Sequence, residues 1–499
     1  MKTPQWFRPL LGCAALSLAH GQTSAPVAPA AAAPAPTAAA RTNPFNTPEA
    51  VAARQRNAEL AAADRKLMMD RLQVAEPASL PAKEDDPHRP AGTTRAPNSA
   101  NNWTDGVPGH TIARSAWGHW NNYDLAKADL GTLPDPLVLK NGERVTNADT
   151  WWKQRRPEII RDFETEIYGK IPAHTPQVTW EIAETDVAAV DGTAKLKRLV
   201  GHIDNSRYPA ATPQLEVTLY TPAHATGPVP VMVVIGGFGF GLPPGGRAPM
   251  GPTTLQQLLA KGWGCATFNP GSVQADTGGG LNAGIIGLMN LGQPRQPDDW
   301  GSLAAISWGL SRTIDYFETD KDVDAKRLGV EGHSRWGKAT VVAMAFEPRW
   351  AIGYSSCSGE GGTKLHRHDV GESVDNVCAP SEYHWMAGNF LKYAGRWDAL
   401  PIDQHELIAL VAPRPIFVTG GTTDLWADPV GEFKSCVGAG PVYRLVGKMD
   451  VGQTAMPAPD AELIAGDIGF RFHAGGHTDS LDWPVFIKFA DKYFSDPAR

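Results

Sequence analysis

Cysteine is scarce in this chain, with 5 in 499 residues, and no two stand at the short spacing that marks a zinc site. No metal and no cofactor is therefore expected. Long apolar runs are missing as well. The stretch Leu10–Leu18 is too short to span a bilayer, and no later segment is long and apolar enough. Charge of one sign is also lacking, since 46 Lys and Arg against 53 Asp and Glu leave a net −7. A balance this mild gives no reason to expect nucleic acid or an anionic membrane surface as partner. No internal repeat is found, which argues against stacked-repeat architectures. The length suits two or three average domains, or one large α/β domain.

What the chain does have is tryptophan, 16 in all. Exposing so many is costly, so some should line a core, and flat aromatic faces also suit a sugar-binding cleft. The N-terminus reads as a signal peptide over residues 1–21. Lys2 and Arg8 give the positive flank, and Ala19-His20-Gly21 a small-x-small cleavage site. Leu11-Gly12-Cys13 resembles a lipoprotein box, but almost no apolar run precedes Cys13, so a cleaved leader is preferred. The expectation is an exported, soluble monomer, periplasmic or extracellular. Residues 22–41 are nearly all Ala, Pro, Thr and Ser and read as a flexible linker. Within an extension over 42–112, Asn46 to Leu72 reads as a helix capped by Asn46 or Thr47, with Pro48 in its first turn. Residues 76–112 read as irregular. Cys265, Cys357, Cys378 and Cys436 form an even set, open to disulfides in an oxidising compartment or to buried free thiols.

Residues 113–499 read as a single α/β domain. Thr150 to Tyr168 has the apolar spacing of an amphipathic helix, and residues 176–220 alternate as antiparallel strands do. Continuous apolar runs follow at Val229–Ile235, Gly264–Phe268, Leu328–Val330, Ala351–Ser355, Pro415–Thr419 and Ile468–His473. Such runs suit strands buried on both faces. Helical stretches separate them, including Thr254–Lys261, Ser302–Phe317 and Trp483–Phe494. The alternation implies a doubly wound, mostly parallel sheet flanked by helices.

One junction in that pattern carries chemistry. The strand ending at Val330 meets Glu331-Gly332-His333-Ser334-Arg335-Trp336-Gly337-Lys338 and then an alanine-rich helix. Asp322-Val323-Asp324 reads as the turn before that strand. Strand, sharp turn and helix with a serine at the apex is the nucleophile elbow of an α/β-hydrolase. The second glycine falls at Gly337, one place later than the common G-x-S-x-G pattern. In this fold the acid and then the histidine follow the serine in the chain. His477, after the last strand, is the expected general base, with His473 the competitor. For the acid, Asp424 follows the penultimate strand, Asp428 is second, and Glu360 after the preceding strand is the alternative.

These residues resemble those of the glucuronoyl esterases. The family's Ser-Arg-x-Gly-Lys elbow is matched by Ser334 to Lys338, and its Ser-Gly-x-Gly-Gly turn by Ser358 to Gly362. Further matches are Leu133-Pro134-Asp135-Pro136, Trp151-Trp152-x-x-Arg155-Arg156-Pro157-Glu158, His384-Trp385 and Ala427-Asp428-Pro429. The likeness runs from about residue 115 to the C-terminus and leaves 1–112 outside. It implies that Arg335 contributes to the oxyanion site, that Lys338 contacts sugar hydroxyls, and that Glu372 and Trp426 meet the uronate. Many members carry the triad glutamate just before Ser-Gly-x-Gly-Gly, where this chain has Cys357. Others place the acid after the following strand, which again implies Asp424.

Three functions follow as expectations. The first is a serine esterase that cleaves glucuronate esters of glucuronoxylan, or lignin–carbohydrate esters, through an acyl-enzyme. The second is an acetyl xylan esterase or other carbohydrate esterase of the same fold. The third is a catalytically weak uronate-binding protein that has lost its usual acid.

Overall fold

The computed structural model describes residues 47–75, 85–97, 102–107, 110–128, 131–237 and 252–495. The expected leader and linker, residues 1–41, lie outside these. The chain divides into two units, Met1–Val51 and Ala52–Arg499. In the first, Thr47 Oγ1 accepts from Ala50 N at 3.2 Å, opening helix α1 (Pro48–Leu72). In the second, the rest of α1 packs on the α/β body. Ala61, Met68 and Met69 are buried, Arg65 Nε donates to Cys378 O at 2.9 Å, and Tyr383 Oη donates to Asp64 Oδ2 at 3.0 Å. The stretch read as irregular contains a small antiparallel sheet of Thr94–Arg95, Asn102–Thr104 and Ile112–Ala113. It closes over Trp103, Ile112 and Trp120.

The main sheet has ten strands. In chain order they are β1 (Val178–Ala189), β2 (Ala194–Ile203), β3 (Gln214–Pro222), β4 (Val229–Ile235) and β5 (Gly264–Phe268). Then come β6 (Val323–His333), β7 (Ile352–Ser356), β8 (Ile416–Gly421), β9 (Glu462–Leu463) and β10 (Ile468–His473). Their spatial order is β9-β10-β8-β7-β6-β4-β5-β3-β2-β1. β5, β4, β6, β7, β8 and β10 run parallel, and β1–β3 extend the sheet antiparallel on one side. The residue patterns explain the split. Every residue of β4 is buried between two helical layers, whereas β3 alternates buried and half-buried positions. The stretch Asp322-Val323-Asp324 is not wholly a turn: β6 already begins at Val323, which pairs with Val229.

Helices α2 (Thr254–Ala260), α3 (Ser302–Phe317), α4 (Arg335–Phe346), α5 (Gln404–Val411), α6 (Pro429–Leu445) and α7 (Trp483–Phe494) alternate with the parallel strands. The helix expected over 150–168 is helical from Ala148 to Ile167, with π-helical segments at Trp151–Arg155 and Phe163–Ile167. Those turns keep Trp151, Ile159, Phe163 and Ile167 all facing the core, where each is fully buried. Cys265, Cys357, Cys378 and Cys436 are all buried free thiols, so the disulfide alternative falls. A core of this size is stable without staples.

Four neighbouring strands end together. His333 pairs with Ser356, Ser356 with Thr419, and Gly421 with His473. The loops leaving β6, β7, β8 and β10 therefore emerge side by side at the C-terminal edge of the sheet, where α/β folds place their sites.

Candidate active site

Ser334 sits at φ 61°, ψ −129°, between β6 and α4, and its N–H donates to Ser356 O at 2.8 Å. A left-handed non-glycine residue costs of order 1–3 kcal/mol and persists only where its surroundings hold it. Two glycines do that here. A Cβ on Gly332 would lie 2.3 Å from Trp336 O, and one on Gly337 would lie 2.9 Å from Ser356 O. Gly337 is thus the point where α4 crosses β7, which is why the second glycine stands there and Trp336 can occupy the preceding position. Ser334 stays half-buried, open to solvent on one side.

The loops after β8 and β10 zip together. Thr423 N donates to Gly475 O at 2.9 Å, and a Cβ on Gly421 would strike Gly476 O at 2.4 Å. This closure sets His477 Nδ1 2.7 Å from Asp424 Oδ2. The carboxylate is buried at 5% exposure while the imidazole remains 43% exposed, facing the cleft. A carboxylate on Nδ1 favours the tautomer with Nε2 free to accept a proton. His333 packs its ring 4.3 Å from that of His477. Burial, with His477 beside it, pushes the His333 pKa down to about 3, so it stays neutral.

The competing residues are engaged elsewhere. His473 is buried, with Nδ1 2.8 Å from Asp482 Oδ2 and Nε2 2.9 Å from Gly476 O. Asp428 caps α6 through Gly431 N at 3.0 Å and meets His368 Nδ1 at 2.5 Å. Glu360 turns inward, fully buried, to Lys364 Nζ at 3.0 Å and to His366 Nδ1. Burial raises its pKa, but Lys364 and His366 outweigh that and hold it down at about 2. Cys357 points its Sγ toward the His477–Asp424 pair. Ligating atoms of the three residues lie within 4.8 Å of one another, the one such set of His, Cys, Asp and Glu among the described residues.

Beside Ser334 lies a small cavity of about 90 Å³, lined by Arg335, Lys338, Glu372, Glu382, Trp385 and Trp426 among others. Lys338 is buried, and its Nζ donates to Glu372 Oε2 at 2.7 Å and Glu360 O at 2.6 Å. Glu372 N donates to Trp426 O at 2.8 Å, tying the two loops. Arg335 is largely exposed, and its Nη1 donates to Asp276 Oδ2 at 2.6 Å. Burial raises the Asp276 pKa, but hydrogen bonds from His384, Trp385 and Arg335 outweigh it and hold the carboxylate ionised. A larger cavity of about 740 Å³ opens beside Ser334, Asp424, Trp426 and His477, with Val107 and His110 of the N-terminal extension in its wall.

A family model for glucuronyl esterase of fungi matches residues 209–447. A carbohydrate esterase from an unknown prokaryotic organism is 35% identical over 409 residues, covering 76% of this chain and 93% of that protein. A solved glucuronoyl esterase of carbohydrate esterase family 15 from Teredinibacter turnerae is 37% identical, with a TM-score of 0.73. That likeness covers 87% of this chain and 99% of the Teredinibacter one. The chain belongs to the glucuronoyl esterase family. It is a carboxylic ester hydrolase with the α/β-hydrolase fold, and the reading as a uronate-binding protein falls. A 4-O-methyl-glucuronoyl methylesterase from Cerrena unicolor is 28% identical, and this chain spans 64% of its length.

Sequence reasoning about this esterase passed over four residues beside the cleft. Asp276 tethers Arg335, and His333 backs His477. Glu382 lines the small cavity, with its pKa raised to about 8 by burial and then by Glu372. Glu432, on α6, is buried with its Oε1 accepting from Ser358 N at 2.8 Å and Gly359 N at 3.1 Å, so it holds the Ser-Gly-x-Gly-Gly turn. None stands at a spacing that marks it. Trp385 was visible in the likeness but without a role. No described helix is long and apolar enough to cross a membrane.

The inward pairing of Glu360 makes a specific prediction. Glu360→Gln leaves Lys364 buried without its counter-charge, which costs about 3–5 kcal/mol of stability, yet it should alter kcat far less than loss of Asp424. The pH dependence follows in sign. Glu360 is more acidic folded (about 2) than its ordinary 4.5, so its stabilisation is present above about 4.5 and fades as pH falls toward 2. Melting temperature measured against pH should fall less steeply through that window in Glu360→Gln. An unchanged slope would show that Glu360 carries no such stabilisation.

Proposed function

We propose that this glucuronoyl esterase hydrolyses esters joining (4-O-methyl-)glucuronic acid of glucuronoxylan to lignin-type alcohols, through Ser334, His477 and Asp424. The observation that carries this reading is the 2.7 Å His477–Asp424 contact at the rim of a cleft shared with a strained, half-buried Ser334. Ser334 Oγ attacks the ester carbonyl as His477 Nε2 takes its proton. His477 then returns that proton to the departing alcohol, leaving the uronate acylated on Ser334. Water, deprotonated by the same imidazole, attacks the acyl-enzyme and frees the acid. Asp424 holds the imidazole in its working tautomer.

Charge placement supports the roles of the other residues. Arg335 adds a full positive charge beside the carbonyl, where negative charge develops in the transition state. Asp276 fixes its direction from behind. Lys338, Glu372 and Trp426 form the sugar side, with an ammonium donor, a carboxylate acceptor and one flat apolar face around the small cavity. This built acid side favours a uronate ester over an acetyl group. The larger cavity beside His477 gives the leaving alcohol room. Export as a monomer, with residues 1–21 removed as a signal peptide, belongs to the same proposal and is supported by the sequence pattern alone.

The test compares a benzyl glucuronate ester with an aryl acetate, in wild type and in Lys338→Ala. Wild type should strongly prefer the glucuronate ester. The variant should raise KM for that ester about 10–100-fold and barely change acetate hydrolysis, because binding to one substrate only is lost. Equal losses on both would make Lys338 structural, and a wild-type preference for acetate would favour the acetyl xylan esterase reading.

A further inference from the structure

The geometry points to an inhibitory site for a thiophilic divalent cation, with Cys357, His477 and Asp424 as its three ligands. Cys357 occupies a left-handed backbone position at φ 47°, which turns its side chain from the end of β7 toward the loops after β8 and β10. Its sulfur, an Asp424 carboxylate oxygen and a His477 ring nitrogen all lie within 4.8 Å of one another. The set mixes a soft sulfur, an imidazole and a carboxylate, a combination that selects Zn²⁺ or Co²⁺ over Mg²⁺ or Ca²⁺. A tetrahedral ion with bonds of about 2.0–2.3 Å needs its ligand atoms about 3.5 Å apart. The 2.7 Å His477–Asp424 contact must therefore open and the contacts to sulfur tighten as an ion enters, and His477, which is 43% exposed, has room to turn beside the buried Cys357 and Asp424. Cys357 and His477 both reach the small cavity beside Ser334, which gives the ion a way in from the cleft, and water completes the tetrahedron.

Binding would exchange one interaction for another. The hydrogen bond between His477 Nδ1 and Asp424 Oδ2 is replaced by metal bonds to both atoms. The imidazole proton moves through solvent from Nδ1 to Nε2, and the thiol of Cys357 gives up its 3.8 Å contact to Thr478 O and releases its proton to solvent as the metal–sulfur bond forms. The imidazole stays neutral, but its Nε2 now carries hydrogen and cannot accept one from Ser334. A chain with glutamate in place of Cys357 would offer an all-carboxylate and imidazole set, which lacks the soft donor.

The experiment titrates the full chain with Co²⁺ alone, following the thiolate-to-cobalt charge-transfer band that only a cysteine ligand produces. One Co²⁺ per chain with such a band, displaced by Zn²⁺ and absent in Cys357→Ser, is the expected result. Its absence in wild type overturns the site with no variant needed. Zn²⁺ should also remove glucuronate-ester hydrolysis in proportion to occupancy, and Cys357→Ser should lose at least about tenfold in sensitivity. That second readout rests on the proposed role of His477. A band without inhibition would keep the metal site and overturn that role, and inhibition unchanged in Cys357→Ser would overturn the site.

Discussion

Ser334→Ala should abolish ester hydrolysis while leaving the fold and glucuronate binding intact. The substitution removes one oxygen from a half-buried side chain and keeps the backbone N–H that bonds to Ser356 O at 2.8 Å. Alanine meets the same cost at φ 61° as serine, so the elbow should hold its shape. Removing a serine nucleophile costs on the order of 10⁶ in kcat in enzymes that depend on one, with binding and the oxyanion site leaving a residue above the uncatalysed rate. The measurement is kcat on a benzyl glucuronate ester, beside a melting curve and a glucuronate binding titration. Turnover within about tenfold of wild type in a folded variant would remove Ser334 as the nucleophile.

The second large effect belongs to Asp424. Asp424→Asn keeps the side-chain shape but can donate to Nδ1, which favours the imidazole tautomer with Nε2 protonated. The expected loss in kcat is about 10³–10⁴-fold, as when the triad carboxylate is amidated in serine hydrolases. The neighbourhood supplies a stricter test. Cys357 stands where many family members carry the acid, and its sulfur lies within 4.8 Å of both partners. Adding Cys357→Glu to Asp424→Asn should therefore return at least about tenfold of the lost kcat, by giving His477 a carboxylate from the end of β7. Glu360→Gln should show no comparable loss, since its carboxylate is committed to Lys364 and His366. If Glu360→Gln proved the crippled variant instead, the acid would have to come from the turn after β7.

The order of the parallel strands and their helices, and the place of the strand–turn–helix elbow at Ser334, could be read along the chain alone. Continuous apolar runs marked β4, β5 and β10 to the residue, because strands buried on both faces carry no alternation to blur their ends. Apolar periodicity marked α3 and α7 just as closely. Ser334 was legible because the elbow is local: strand, tight turn and helix lie within a dozen residues and need small neighbours that a sequence displays. Lys338, Glu372 and Trp426 were singled out only through likeness to the family. Nothing in their local pattern sets Lys338 apart from a surface lysine, yet it is buried against a carboxylate 34 positions later.

Contacts between distant loops are another matter, because they arise only when the sheet is assembled. Asp424 and Glu360 are alike in sequence, each a carboxylate shortly after a strand. Only the zipping of the loops after β8 and β10 turns Asp424 to His477, and only the inward turn after β7 sends Glu360 to Lys364. His473 and His477 stand four residues apart on one strand end, and Asp482 takes the first out of contention. Asp276, Glu382 and Glu432 were invisible for the same reason, since each meets its partner across a fold rather than along the chain: Asp276 meets Arg335, Glu382 meets Glu372, and Glu432 meets Ser358. A buried charge is placed by what surrounds it in space, and that neighbourhood exists only once the sheet has brought its strand ends side by side.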